Sequence, residues 1–265
     1  MQLHSDKVFH SDRTYSPSSA RTSGNRGTLR LLPTPRTLPI EELQNEISDQ
    51  RCVLKRGDYS IRLADSPGLR SEASALIERM YSWRGYHTEN AAVFSHNPNR
   101  LTLVASSGQK LLGTVTLGLD SEEGLLADEL YGQEINAFRA KGKKVCELSK
   151  FALDPQYSSK EILASLFHLA YIYAHKIHKA TDLFGEVNPR HAGSQKRMFG
   201  FRQISEVRTC PRVDAPAVLL HLGLDYVRKQ ISSLAGSPDP KERSLYPYCF
   251  SQQENGLINS VGHTN

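Results

Sequence analysis

The spacing of apolar and polar residues predicts strands in the first half of the chain, with one amphipathic helix among them. Residues 51–64 predict two strands that are interrupted at Arg56-Gly57-Asp58. Two further strands, at residues 101–106 and 111–119, flank a Gly-containing turn and predict a hairpin. The helix between these strand pairs has an apolar face made of Ala73, Leu76, Ile77 and Met80.

In the second half of the chain, the same patterns predict strands alternating with helices. A central strand at 144–155 is followed by a helix capped by Ser159, a strand at 182–187, a helix at 188–200 ended by Gly200, and strands at 201–208 and 215–222. This order predicts an α/β fold, in which a mixed sheet carries helices on its faces.

Both ends of the chain lack a periodic pattern. Residues 1–38 are rich in Ser, Thr, Arg, Gly and Pro, which predicts a disordered basic tail. A short helix is expected over residues 40–47, after Pro39. Because 265 residues are few for two full domains, we expect a single domain over residues 39–236 and an irregular tail over residues 237–265.

Composition excludes a membrane-spanning protein. The chain is 38% hydrophobic and 23% charged, as in ordinary globular proteins. Its longest apolar runs are far shorter than the roughly 20 residues that a transmembrane helix needs. The N-terminal sequence has no apolar stretch followed by small residues, so a secretory signal is not expected. We therefore expect a cytoplasmic protein without a transmembrane segment.

Charge and cysteine content exclude two further classes. Residues 1–38 hold six basic and two acidic residues, so this tail carries +4 of the net charge of +5 and leaves +1 for the remainder. A nearly neutral globular part argues against a nucleic-acid-binding protein. The four cysteines are Cys52, Cys146, Cys210 and Cys249. They form no C-x-x-C pair, so we expect neither a zinc site nor a redox motif, and reduced thiols without a catalytic role.

Three segments together resemble a known family. They are CELSKFALDP at 146–155, TDLFGEVNPRHAGSQKRMFGF at 181–201 and PRVDAPAVLLHLGLD at 211–225. In order and spacing they resemble the long-chain N-acyl amino acid synthases, which have a GNAT-type fold and are related to the acyl-homoserine-lactone synthases. The first segment resembles the family pattern E-x-S-R-hydrophobic-x-V-D-P, with Glu147 and Ser149 kept and Lys150 in place of arginine. Ser194 and Gln195 stand where the family often has an aromatic pair.

The resemblance implies a GNAT-type mixed sheet and an enzyme that joins a fatty acyl group to the amine of an amino acid. Coenzyme-A-dependent relatives have a Gly-rich turn after the central strand, whose backbone N–H groups bind the pyrophosphate. Here that turn reads QYSSKEIL, with Glu161 and Leu163 where glycines are expected. Acyl carrier protein presents the acyl group on a phosphopantetheine arm without this pyrophosphate. We therefore expect acyl carrier protein as donor and partner, with no bound cofactor.

Amide formation from a thioester needs a proton acceptor for the amine and a donor for the oxyanion. Glu147 on the central strand is the candidate base, and a buried ion pair with Lys150 or an arginine is the alternative. The resemblance implies that a backbone N–H of the same strand, from Phe151 to Leu153 and including Ala152, binds the oxyanion. Side-chain substitution would hardly test that group.

Five residues are candidates for substrate binding or for a second catalytic role. Asn188 and His191 follow a strand that borders the expected acyl tunnel, with helix capping as the alternative for Asn188 and a second base as a role for His191. An amino acid's carboxylate needs a cation, for which Arg84 is the first candidate and Lys150 the second. Ser149 is expected to contact substrate beside Lys150.

A basic run precedes the central strand. Its members are Arg139, Lys141, Lys143 and Lys144, and Lys160, Arg190, Lys196 and Arg197 could join them in space. Because acyl carrier proteins are acidic, these residues are candidates for docking, with an ordinary solvated surface as the alternative.

Two other functions stay open at this point. One is an acyl-homoserine-lactone synthase or a coenzyme-A-dependent GNAT acting on another amine. The other is an inactive module that binds acyl groups and regulates a partner.

Overall fold

The computed structural model describes residues 52–88, 97–157, 159–237 and 241–251. The basic tail at 1–38 and the short helix expected at 40–47 lie outside these ranges.

The fold is built on a mixed β-sheet. Its strands are β1 (Cys52–Arg56), β2 (Tyr59–Leu63), β3 (Arg100–Ser107), β4 (Lys110–Leu119), β5 (Val145–Leu153), β6 (Asp182–Val187), β7 (Arg202–Gln203), β8 (Arg208–Cys210) and β9 (Ala215–Gly223). They lie in the order β1-β2-β3-β4-β5-β6-β9-β7, and β8 pairs with β9. β5 and β6 are parallel, whereas the other pairs are antiparallel. The predicted strand pair and hairpin are confirmed as β1–β2 and β3–β4.

Five helices flank the sheet in the described part of the chain. They are α1 (Pro67–Trp83), α2 (Asp128–Arg139), α3 (Lys160–Tyr171), α4 (Pro189–Phe199) and α5 (Leu224–Leu234). Two predicted boundaries are confirmed: Ser159 Oγ accepts from the Ile162 N–H at 3.1 Å to cap α3, and Gly200 ends α4 with a φ of 84°. α3 continues as a π-helical segment, Ile172–Ile177.

The side chains of successive β5 residues are buried on opposite faces of the sheet, as the pleat requires. Val145 packs with Tyr131 and Ile135 of α2, whereas Cys146 belongs to the large cluster that contains Leu166 and Leu169 of α3. α1 covers another part of the sheet face on which α2 lies. The apolar stripe of α1 packs there on β3 and β5. The central strand is thus covered on both sides.

Two elements differ from the sequence prediction. The strand predicted at 201–208 is two short strands, β7 and β8, that pair with β9 at different places. The Ile204 N–H still donates to the Leu219 carbonyl at 3.0 Å, but residues 205–207 leave the ladder where Ser205 turns back, and the Ser205 hydroxyl accepts from the Leu219 N–H at 2.7 Å. The helix α5 was not predicted.

The domain continues beyond residue 236. Leu245, Tyr246, Cys249 and Phe250 are buried in the main core. The Phe250 N–H donates to Nδ1 of His168 at 3.0 Å, an acceptor role that requires this nitrogen to be unprotonated. Burial lowers the pKa of His168 to about 3, so the ring stays neutral. The structure therefore corrects the predicted domain end at residue 236.

Candidate active site

The two parallel strands at the centre of the sheet separate halfway along. Residues 145–148 of β5 pair with residues 182–185 of β6, and the pairing stops there although both strands continue. Just beyond this point Lys150 has a φ of 49°, and the register with β4 shifts between Thr114 and Thr116. This β-bulge turns β5 away from β6 and opens a gap in the sheet.

A cavity of about 660 Å³ occupies this gap and reaches both faces of the sheet. On the face of α3 and α4 its wall is apolar, formed by Leu163, Leu166, Phe167, Met198, Phe199 and Phe201. On the opposite face the wall is polar and includes Arg100, Thr102, Thr116, Glu147 and Ser149. The cavity thus joins an apolar arm to a polar chamber at the point where β5 and β6 part.

Glu147 is a buried carboxylate in the polar chamber, and only 3% of its side chain is exposed. Its Oε1 accepts from Arg100 Nη1 at 3.1 Å and from the Leu126 N–H at 2.8 Å, and its Oε2 accepts from the Ala127 N–H at 3.0 Å. Burial raises the pKa of Glu147, while the two backbone N–H groups and Arg100 act in the opposite direction. The carboxylate therefore holds the start of α2 and lines the cavity.

A glycine makes this ion pair possible. Arg100 on β3 lies opposite Gly118 on β4, which in turn lies opposite Glu147 on β5. A Cβ at Gly118 would stand 2.8 Å from Glu147 Cγ and 2.9 Å from its Oε1. Only a residue without a side chain lets the carboxylate cross β4 to reach the guanidinium.

Ser149 and Lys150 lie beside Glu147, as the sequence predicts. The Ser149 hydroxyl is buried and finds no hydrogen-bond partner among the described residues. Burial, and secondarily Arg100, lowers the pKa of Lys150 to about 8, while Glu147 opposes this shift. Lys150 therefore carries its charge at neutral pH but loses it within a range accessible to experiment.

The structure also brings Arg84, Asn188 and His191 to the cavity wall. Asn188 Oδ1 accepts from the Arg190 N–H at 3.2 Å and caps α4, which confirms the capping alternative without removing the residue from the cavity. Burial, followed by Arg190 and Arg84, lowers the pKa of His191. The imidazole is neutral at physiological pH. Arg84 Nη1 donates to the Met80 carbonyl at 3.2 Å.

Two of the predicted β5 residues have side chains outside the cavity. Ala152 packs against α1, and Leu153 packs in the main core. The third of these β5 residues, Phe151, lines the cavity. The Asp154 N–H donates to the Leu112 carbonyl of β4, so the preceding N–H, that of Leu153, points toward the side where β6 has parted. A backbone oxyanion donor at Phe151 or Leu153 stays a prediction.

The basic run before β5 lies away from the gap. Lys144 immediately precedes β5, roughly 16 Å along the strand from Ser149 at about 3.3 Å per residue. Arg139 is held by Asp120 and Asp128, with Nη2–oxygen distances of 2.7 and 2.6 Å. Lys141, Lys143 and Lys144 are exposed. These residues do not approach the cavity, and their docking role stays a prediction.

Arg100 and Arg212 are two charged cavity residues that sequence reasoning missed. Arg212 forms ion pairs with Glu129 and Glu186 and donates to the Leu126 carbonyl at 2.9 Å. Arg100 could be found only through its register with Gly118 and Glu147, because its own sequence neighbourhood carries no signal.

Groups suited to metal or thiol chemistry are lacking in the ranges described. No cluster of three His, Cys, Asp or Glu residues there could hold a metal ion. Cys210 lines the cavity, but burial raises its pKa to about 11, which disfavours the nucleophilic thiolate. Within the same ranges no helix is long and apolar enough to cross a membrane.

Comparisons with known proteins bear on this site. A family model described as N-acyl amino acid synthase FeeM matches residues 72–223. The solved structure of FeeM, an N-acyl amino acid synthase from uncultured soil microbes, is 30% identical, with a TM-score of 0.58 over 64% of this chain and 93% of that one. A putative N-acetyltransferase from Lactobacillus plantarum is 15% identical, with a TM-score of 0.48 over 63% and 99% of the two chains. A search of curated proteins finds no match.

The sheet, its parted central strands and the similarity to FeeM define a GNAT-type N-acyltransferase. The family model spans more than half of the 265 residues. The chain therefore belongs to the FeeM N-acyl amino acid synthase family.

Proposed function

We propose that this protein transfers a fatty acyl group from acyl carrier protein to the amine of an amino acid. The observation that supports this most directly is the continuity of an apolar arm with a polar chamber at the gap between β5 and β6. A fatty chain fits the wall of α3 and α4, while the amine and the reacting thioester meet beside Glu147.

The turn between β5 and α3 supports acyl carrier protein as the donor. Ser159 Oγ already occupies the Ile162 N–H, which is one of the donors that a phosphate would use at a helix N-terminus. Glu161 adds a carboxylate in the first turn. Both features disfavour a coenzyme A pyrophosphate, whereas a phosphopantetheine arm lacks that group.

In the proposed reaction, the neutral amine attacks the thioester carbonyl and the nitrogen loses a proton to Glu147. Oε2 of Glu147 accepts a single N–H, so it keeps a lone pair for this proton. The carbon–sulfur bond then breaks, and the phosphopantetheine thiolate leaves and takes up the proton. A backbone N–H of β5 near Phe151 stabilises the oxyanion.

The ends of β5 and β6 indicate where the carrier docks. The carboxyl ends of β5 and β6 lie at one edge of the sheet, and α3 and α4 begin there. Lys160 in the first turn of α3 and Arg190 in the first turn of α4 are therefore nearer to the donor entrance than the run before β5, and Lys196 and Arg197 follow in the last turn of α4. An acidic carrier would be steered to this edge.

The test uses purified full-length protein with acyl carrier protein and coenzyme A carrying the same long acyl chain. Mass spectrometry of products with a panel of amino acids should show N-acyl amino acids, formed with much higher kcat/KM from the carrier. Equal turnover with acyl-coenzyme A would contradict the proposed donor.

Two sets of charge reversals locate the docking surface. Reversal of Lys160, Arg190, Lys196 and Arg197 should raise the KM for the carrier and weaken its salt dependence. Reversal of Lys141, Lys143 and Lys144 serves as the matched control. If only this control set raised the KM, the carrier would dock before β5 instead.

A further inference from the structure

The guanidinium of Arg100 is only partly used in the polar chamber. Its Nη1 donates to Glu147, and among the described residues its Nε and Nη2 have no hydrogen-bond partner. The side chain lines the cavity and is 25% exposed, whereas the Glu147 side chain is 3% exposed. One edge of the guanidinium thus faces the cavity while the other holds the carboxylate.

The buried hydroxyl of Ser149 offers a second polar group. Thr116, which lies opposite Ser149, already shares a hydrogen bond of 2.8 Å with Thr102. Ser149 Oγ is left without a partner in the described part of the chain. A buried hydroxyl without a partner costs free energy, and a ligand in the cavity would supply the missing bond.

The charges around the cavity favour an anion. Of its described lining residues, five are cations, namely Arg70, Arg84, Arg100, Lys150 and Arg212, and three are carboxylates, namely Asp65, Glu147 and Glu186. Glu147 and Glu186 each form an ion pair with one of these arginines. The described lining of the cavity therefore holds two more cations than carboxylates.

We propose that Arg100 is the receptor for the carboxylate of the acceptor amino acid, with Ser149 Oγ as a second donor and Lys150 as an additional cation. This assignment rests on the proposed function. The lowered pKa of Lys150 supports it, because a carboxylate bound between Lys150 and Arg100 would relieve their mutual repulsion. Arg100 would then hold both the proton acceptor and the acceptor substrate, fixing the amine near Glu147.

The experiment compares three acceptors with one acyl carrier protein donor: an L-amino acid, its carboxamide, and the amine that lacks the carboxyl group. In the wild type the amino acid should have a kcat/KM on the order of a hundredfold above the other two. In Arg100→Gln this preference should collapse, mainly through the KM for the amino acid. The ratio of KM values between acceptors is the readout, because an effect on Glu147 as proton acceptor acts mainly on kcat.

Ser149→Ala keeps the proposal testable if Arg100→Gln does not fold. It removes a hydroxyl that supports no described hydrogen bond, and it should raise the KM for the amino acid about tenfold without affecting the amine. Arg228→Gln, on the exposed face of α5, is the matched control and should leave the ratio unchanged.

The outcomes separate the two levels of inference. No acyl transfer to any of the three acceptors would overturn the proposed function. Transfer without a preference for the carboxylate, or a preference that survives both Arg100→Gln and Ser149→Ala, would overturn the role of Arg100 alone.

Discussion

Replacing Glu147 by glutamine perturbs the folded structure and the proposed chemistry at once, and the two effects can be measured separately. The carboxylate accepts three hydrogen bonds, from Arg100 and from the N–H groups of Leu126 and Ala127. An amide has only one acceptor oxygen. If that oxygen takes the Oε1 position, the amide NH₂ faces the Ala127 N–H and leaves a buried donor unsatisfied.

The cost follows from these contacts. A buried N–H without a partner costs about 1–3 kcal/mol. Arg100 would also face a neutral oxygen in place of a carboxylate. The resulting loss of stability is reduced because 25% of the Arg100 side chain is exposed. We expect Glu147→Gln to lower the free energy of unfolding by about 2–4 kcal/mol. For a domain of this size that corresponds to a fall in Tm of roughly 5–15 °C.

Urea unfolding measures the first effect, and Glu129→Gln is its control. Glu129 lies on α2 and pairs with Arg212, but 53% of its side chain is exposed, so its loss should cost less than about 1 kcal/mol. Under conditions in which the variant stays folded, loss of the proposed base should reduce kcat by about 10²- to 10⁴-fold. A Glu147→Gln protein as stable as the wild type would refute the anchoring role, and one with full kcat would remove Glu147 from proton transfer.

Three further predictions follow from the structure. A chain ending at residue 236 should not fold, whereas one ending at residue 251 should melt cooperatively by circular dichroism, because burial of four core side chains contributes about 6–12 kcal/mol. Binding of an N-acyl amino acid, measured by calorimetry, should weaken as pH rises through about 8, where Lys150 loses its proton, and Lys150→Arg should abolish this dependence. Met198→Trp should shift acyl-chain preference to shorter chains in a competition assay, since Met198 lines the apolar arm.

Most elements of the fold could be predicted because their information is local. Period-2 and period-3.6 patterns, with the cap at Ser159 and the left-handed Gly200, mark strands and helices without knowledge of their partners. The short segment containing Tyr246 and Phe250 has no period, since it fills a space whose shape other elements determine. Its burial could not be predicted from the sequence.

The candidate site was predictable where its residues belong to recognisable sequence motifs, as Asn188 and His191 also do. Glu147, Ser149 and Lys150 occur in one motif, and the structure places all three on the cavity. Ala152 lies elsewhere because the bulge at Lys150 changes which face each later residue occupies. Arg100 was missed since its relation to Glu147 depends on the register of three strands.

The shared guanidinium of Arg100 links acceptor binding to the basicity of Glu147. A carboxylate that binds on the cavity side of Arg100 adds a negative charge near Glu147. It also shares the guanidinium that stabilises the ionised form of Glu147. Two like charges roughly 6 Å apart at an effective dielectric constant of about 20 repel by about 3 kcal/mol, which raises the pKa of Glu147. Glu147 would therefore become a stronger proton acceptor when an amino acid is bound. The acidic limb in the pH profile of kcat should consequently lie at higher pH for an amino acid than for the amine without a carboxyl group, and coincident limbs would show that the two carboxylates do not interact.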